Sequence, residues 1–390
     1  GSEMCIRDRY HIAAPANWIN DPNGFCFYKG EYHLFYQYHP YSSQWGPMHW
    51  GHVASKDLAD WEHRPIALAP TDEYDKDGCF SGSAIENDGK LYLLYTGHVD
   101  LDNSNGGNDR IETQCLAVSD DGKHFEKVEN NPVIKALPEN LNIRTEHFRD
   151  PKVWKHGDWY YTVVGVQTKE ESGQVVVYKS QDLINWEFLN IMATSSVKEN
   201  LGFMWECPNF AEVNGHEALI LSPQGVKSEG NKFLNVHQSG YFLGKMDYQT
   251  GIFHRDSKFD LLDYGFDFYA PQIMQDEKNN RCLMIAWLDM WESNMPEQEN
   301  HWAGMMSIPR VLKVENNMIY SKPADELSKL HKSKVHHEQI IKEATSFDDV
   351  NGDCYQLDID FDLEKAQGFI LKLRVSNLSL IHISEPTRLQ

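Results

Sequence analysis

The sequence predicts an all-β chain, a five-bladed β-propeller followed by a truncated C-terminal β-sandwich module. Two observations carry this. From Trp18 to about Pro323 the chain reads as short β-branched and aromatic runs separated by Gly, Asn and Asp turns, without long helical periodicity. Within that stretch one segment recurs: SKDLADWEH at 55–63 returns as SDDGKHFEK at 119–127 and as SQDLINWEF at 180–188, with a looser KMDYQTGIF at 245–253. The period of about 60 residues exceeds the 40–50 of familiar propeller repeats, and long surface loops supply the difference.

The runs YHLFYQY, KLYLLYTG, WYYTVVGV, QVVVYKS, ALILS and CLMIAW have strand length and composition. Divided on the period, the chain gives five units of four strands, beginning near Asp21, Phe80, Asp150, Glu206 and Asp267. Such units around one axis make a propeller; a β-sandwich is the alternative, and the regular repeat argues against it. The propeller is expected over 10–323. PADELSKLHK then reads as a linker helix over 324–333, and VHHEQIIKEA, CYQLDIDFDL and GFILKLRVS read as strands of an incomplete sandwich over 334–377. About 50 residues are too few for an independent sandwich. GSEMCIRDR (1–9) and LSLIHISEPTRLQ (378–390) resemble translated adapter sequence and are expected to be non-native ends.

With 58 acidic and 36 basic residues the net charge is −22, a field that repels phosphodiester backbones and anionic membrane surfaces. Neither nucleic acid nor membrane is expected as a partner, and a neutral or singly phosphorylated small sugar suits this balance. Cysteines at 5, 26, 79, 115, 207, 282 and 354 contain no C-x-x-C pair, which favours a reducing, cytoplasmic setting. No run approaches the roughly 18 apolar residues of a membrane span. No secretory signal is visible, although a foreign start leaves secretion open. His49, His52, His147, His336 and His337 fit no metal-site spacing, so no metal and no cofactor is expected.

The innermost strand of each blade runs along the central channel, so residues near its start crowd one mouth. There the five units offer Asn20 and Asp21 (WINDPNG), Phe80 and Ser81 (CFSGS), Arg149 and Asp150 (FRDPK), Glu206 and Cys207 (WECPN), and Asp267 and Tyr269 (FDFYAPQ). Three carboxylates thus converge from distant positions at equivalent places in three repeats. A following proline is expected to hold Asp21 and Asp150 extended. Arg149 is expected to keep Asp150 ionised, and the Trp205–Cys207 flanks to raise Glu206 toward general-acid duty. Asp21, with no cation near in sequence, suits a nucleophile. A pair of carboxyl groups is what glycoside hydrolysis requires.

Together, WINDPNG, FSGS, FRDPK and WECPN resemble glycoside hydrolase family 32, the invertase and fructan-hydrolase group. The flanks YHLFYQYHPYSSQWGPMHWGH, DEYDKDGCFSGSA and DYGFDFYAPQ look most like its bacterial sucrose-6-phosphate branch. The resemblance covers about residues 10–375. It implies a five-bladed propeller with a sandwich, and retaining hydrolysis of the β-fructofuranosidic bond of sucrose or sucrose 6-phosphate. Asp21 is then the nucleophile, Glu206 the acid/base and Asp150 the transition-state stabiliser. Asn20, Gln37, Trp45, Phe80, Ser81, Arg149, Cys207 and Trp287 would line the fructosyl pocket, with a monomer or homodimer as the assembly. An exo-acting inulin or levan fructosidase is the alternative within this class, and a catalytically silent sugar-binding propeller the alternative outside it.

The remaining signals weigh differently. The repeat aromatics Trp61, Phe125 and Trp186 read as packing residues, because they recur where no site is expected. Trp302 reads as core, and Trp45 and Trp287 as sugar-stacking platforms. Cys207 is expected to shape the pocket rather than react. Arg144 and Lys152 are candidates for holding a 6-phosphate.

Overall fold

The computed structural model describes residues 10–101, 109–196, 199–350, 355–366, 368–373 and 381–383. Cys5, Cys354 and the foreign-looking start at 1–9 lie outside the described residues, as does the foreign-looking end at 378–390 apart from 381–383. Five antiparallel sheets follow one another along the chain. Their inner strands are Asn17–Tyr28, Gly78–Asn87, Ile143–His156, Met204–Val213 and Phe268–Asp276, and these define blades one to five. Each inner strand contacts the next, and the fifth contacts the first. Asn17 and Trp18 close the ring by pairing in parallel with Trp302 and Ala303 of the late chain.

Blades are buried on both faces, which is why their strands read as continuous apolar runs rather than alternating ones. Between blades three and four, Val163, Val175 and Val177 pack on Phe210, Leu219, Leu221 and Phe242. Comparable layers of buried side chains separate four from five, five from one, one from two and two from three.

The recurring segment is a turn that joins the third and fourth strands of a blade. In blades one to three a serine hydroxyl donates to an aspartate two residues on: Ser55 to Asp57 (3.2 Å), Ser119 to Asp121 (3.0 Å) and Ser180 to Asp182 (3.0 Å). The same aspartate oxygen accepts two backbone N–H groups, as Asp182 does from Ile184 (2.9 Å) and Asn185 (2.7 Å). These bonds outweigh the cost of burial and bring Asp57 and Asp182 down to about 2. The turn needs one left-handed residue, which is Leu58, Gly122 or Leu183 (φ of 61°, 73° and 65°). Trp61 and Trp186 then donate their indole N–H to the carbonyls of Leu58 (3.0 Å) and Leu183 (2.9 Å), so the repeat is structural.

Every inner strand carries a β-bulge near its start, seen as a register shift against the second strand of the blade. A bulge places an extra residue on one strand, bends it and re-aims its side chains. Just beyond the bulges lies a buried polar belt of Asn23, Ser83, Lys152, Asn209 and Gln272. It ties blade to blade: Asn23 accepts from Gly82 N–H (3.1 Å), Ser83 from Val153 N–H (2.9 Å) and Asn209 from Ile273 N–H (3.2 Å). Lys152 of blade three donates to Gln272 Oε1 (3.3 Å) and to the Ile273 carbonyl of blade five.

Beyond Pro323 the structure departs from the sequence expectation. Asp325–Leu330 is a short 3-10 helix, with Leu327 buried. The described residues up to Lys334 form one unit and those from Val335 a second. In the second unit, VHHEQIIKEA and the described part of CYQLDIDFDL form no strand; pairing is confined to Leu371–Leu373 with Ile381–Ile383. Ile340, Ile341, Leu357 and Ile359 are exposed, because a strand without a partner sheet has nothing to bury its apolar face against. No helix among the described residues is long and apolar enough to cross a membrane.

Lys152 yields a test of the belt. Burial among neutral partners lowers its pKa from 10.5 to about 8. Between those values the unfolded chain holds a proton on this lysine that the folded chain lacks, so stability rises with pH across the window. The destabilising contribution is complete below about pH 8. Urea midpoints of wild type and Lys152→Met, compared at pH 8 and pH 10, should show wild type gaining on the variant by roughly 1–3 kcal/mol.

Candidate active site

Aligned on their bulges, the inner strands present Asn20–Asp21–Pro22, Phe80–Ser81–Gly82, Arg149–Asp150–Pro151, Glu206–Cys207–Pro208 and Tyr269–Ala270–Pro271 at one level. This corrects the simple ring of equivalent carboxylates. Asp21 and Asp150 share a position, and Cys207 holds that position in blade four. Glu206 stands one residue earlier, level with Arg149 and Tyr269. Because a bulge sets two residues against one, both members of such a pair face the mouth.

Three bulge residues lie in the left-handed region although none is glycine: Asp150 (φ 67°), Cys207 (φ 45°) and Ala270 (φ 49°). Asp150 is therefore not extended, despite the proline after it. Such conformations cost on the order of 1–3 kcal/mol each and persist where surrounding structure over-determines them. At Asp150 that surrounding includes a bond from its own N–H to Thr96 Oγ1 (3.0 Å).

Asp21 Oδ2 accepts the Ser81 hydroxyl (2.7 Å) and the Cys207 thiol (3.3 Å). Asp150 Oδ2 accepts the Cys207 N–H (2.9 Å) and its thiol (3.6 Å), so one residue bridges two carboxylates. Glu206 is held on both oxygens. Oε1 accepts Arg149 Nε (3.1 Å) and Nη2 (2.8 Å), and Oε2 accepts Tyr269 Oη (2.6 Å) and Gln224 Nε2 (2.7 Å).

The electrostatics reverse two sequence expectations. Arg149 turns its fork to Glu206 and lies 4.0 Å from Asp150. Burial, only partly opposed by Arg149 and reinforced by Glu206 and Asp21, pushes Asp150 up to about 8. Burial also disfavours charge on Glu206, but Arg149, Tyr269 and Gln224 outweigh it and hold that carboxyl below the ordinary glutamate range. Trp205 is no part of this setting, since its ring packs into the layer between blades three and four. Asp21 is raised, chiefly by burial and then by the charge of Glu206. Three neighbouring carboxylates served by one guanidinium cannot all ionise cheaply.

The other expected residues fall into two groups. Asn20 supports Asp21 and accepts the Trp18 indole N–H (2.7 Å). Gln37 is buried and donates to the Cys79 carbonyl (3.0 Å), while Phe80 stacks on His98 (4.0 Å between ring centroids). Trp45 is 53% exposed and meets Phe80 edge-on, which fits a platform at the rim. Trp287 is 1% exposed, with its ring between Trp18 and Trp291, so it is a wall rather than an open platform. Asp267 is half-buried beside the carboxylate of Asp289 and takes no hydrogen bond from the three carboxylates' partners. Lys152 is committed to the belt and is not free for a phosphate, whereas Arg144 is partly exposed and pairs with Glu171 (3.2 Å). Sequence reasoning missed Glu112, Thr96 and Gln224, which lie in ordinary strand runs that no motif marks.

The chain matches the model of the glycosyl hydrolases family 32 N-terminal domain over residues 11–323. It is 43% identical over 369 residues to a sucrose-6-phosphate hydrolase of Zymomonas mobilis, covering 92% of this chain and 70% of that one. A sucrose-6-phosphate hydrolase of Escherichia coli is 46% identical over 322 residues, 82% of this chain and 65% of the relative. Among solved structures, the Bombyx mori GH32 beta-fructofuranosidase is similar with a TM-score of 0.78 and 42% identity, over 86% of this chain and 70% of that one.

The thiol of Cys207 should be inert in the folded protein. Burial first, then Asp150 and Asp21, lift its pKa well above 9.0. Iodoacetamide at neutral pH, followed by peptide mass spectrometry, should leave Cys207 unmodified until denaturant is added.

Proposed function

The chain belongs to glycoside hydrolase family 32, and from that premise we propose that it hydrolyses the β-fructofuranosidic bond of sucrose and sucrose 6-phosphate with retention, through a covalent fructosyl–enzyme. The observation that carries the reading is the convergence of three carboxylates, one buried and two half-buried, from three blades on one thiol and one guanidinium. Asp21 is assigned the attack on the anomeric C2. Ser81 and Cys207 anchor its Oδ2, which fixes the plane of the carboxylate. As the bond from C2 to the leaving oxygen breaks, Glu206 gives that oxygen its proton. In the second half, Glu206 takes a proton from water, the water oxygen attacks C2, and Asp21 is released.

Asp150 is assigned the fructosyl hydroxyls, whose hydrogen bonds strengthen as positive charge grows on the sugar. Tyr269 and Gln224 hold Glu206 in one orientation, so they act on the acid/base rather than on the sugar. The described cysteines, all buried and unpaired, suit a reducing compartment, and a cytoplasmic location belongs to this reading.

Fructose release from sucrose, sucrose 6-phosphate and inulin, measured side by side, tests the substrate. Sucrose and its 6-phosphate should be turned over faster than inulin; a preference for inulin would favour the exo-fructosidase reading. Asp21→Ala should lose at least about 1,000-fold in kcat on every substrate. Equal turnover by variant and wild type would remove Asp21 from the reaction. Proton NMR of fresh product should show the β-fructofuranose anomer first, and inversion would exclude the double displacement.

A further inference from the structure

Glu112 lies on Arg110–Ser119, the third strand of blade two, and its side chain is fully buried. Its Oε2 accepts the Phe148 N–H (2.8 Å) and Arg149 Nη1 (3.3 Å). The opposite edge of the same guanidinium holds Glu206 Oε1. One arginine therefore stands between two carboxylates, only one of which can reach a substrate. Glu112 Oε1 has no hydrogen-bond partner among the described residues; it faces His98 Nδ1 at 3.6 Å and Arg110 Nε at 3.8 Å.

A buried arginine facing Glu206 alone would make a neutral pair, and protonating Glu206 would strand an unpaired buried cation. That is costly, so such a glutamate would stay ionised and be a poor acid. With Glu112 present, the trio carries one negative charge when Glu206 is ionised and none when it is protonated. Charge neutrality then accompanies the form that donates the proton. Resting on the fructosidase reading above, we propose that Glu112 is a positioning residue for the acid/base: it shares Arg149 and so lets Glu206 hold its proton more firmly than the arginine facing Glu206 alone would.

The surrounding groups agree. Burial disfavours charge on Glu112, but Arg149, His98 and Arg110 outweigh it and bring its pKa down to about 2. His147, 3.0 Å from Arg149 Nη1, is lowered to about 4 by burial and the two arginines, so it adds no charge near neutrality. Asp100 meets His98 Nε2 at 3.1 Å, and Asp150, Tyr269 and Gln224 complete the setting of Arg149 and Glu206.

The test is the pH profile of kcat/KM for sucrose in Glu112→Gln, which preserves size and the acceptor for Phe148 N–H. Without the second anion, Arg149 pulls the Glu206 pKa down. The limb set by Glu206 should move to lower pH by about one unit, and the limb set by Asp21 by less. A variant that is slower at all pH values with both limbs in place would overturn the proposal. Glu112→Asp keeps the charge and should restore the limb set by Glu206; a shift as large as that of Gln would equally overturn it. If neither variant folds, carbon-13 NMR of glutamate carboxyls in the wild type decides. Glu112 should remain ionised across the active range, and its titration alongside Glu206 would sink the idea. Wild type that releases no fructose would instead count against the fructosidase reading, and the carboxyl titration would still report on Glu112.

Discussion

The guanidinium of Arg149 is the charge against which the site is balanced. It is buried, it bridges Glu112 and Glu206, and it lies 4.0 Å from Asp150, whose charge it favours. Removing a charged group from water costs several kcal/mol unless partners replace the lost hydration. Here the partners come from three blades, so the ion network also fixes how those blades meet.

The bulge on every inner strand makes that network possible. A regular strand alternates its side chains and would offer one residue per blade to the mouth. The bulge offers two, so Arg149 and Asp150 both serve the site, as do Glu206 and Cys207. Left-handed backbone at Asp150, Cys207 and Ala270 is the strain that accompanies this arrangement. Asn23, Ser83, Lys152, Asn209 and Gln272 lock the strands together immediately beyond it.

The repeat turns perform a separate task at the far edge of the blades. Their Ser–Asp pairs satisfy backbone N–H groups of the turn itself, and they set an aromatic against the adjoining layer. Scaffold and site thus draw on the same polar chemistry in different places.

Much of this was legible in the chain. The strand runs are β-branched and aromatic, the turns carry their Ser–Asp signature, and Asp21, Asp150 and Glu206 sit in short motifs that one strand holds together. The sequence also named most of the residues now found around them. It misjudged their states. Arg149 is adjacent to Asp150 in the chain, yet its fork reaches Glu206, 57 positions away. Glu112 lies 37 positions before Arg149 and carries no motif, so nothing local announces it. Strand formation and turn chemistry depend on neighbours along the chain, and the sequence therefore determined them. Which carboxylate holds a proton depends on burial and on Coulomb terms between residues from different blades, and those distances exist only once the ring has closed.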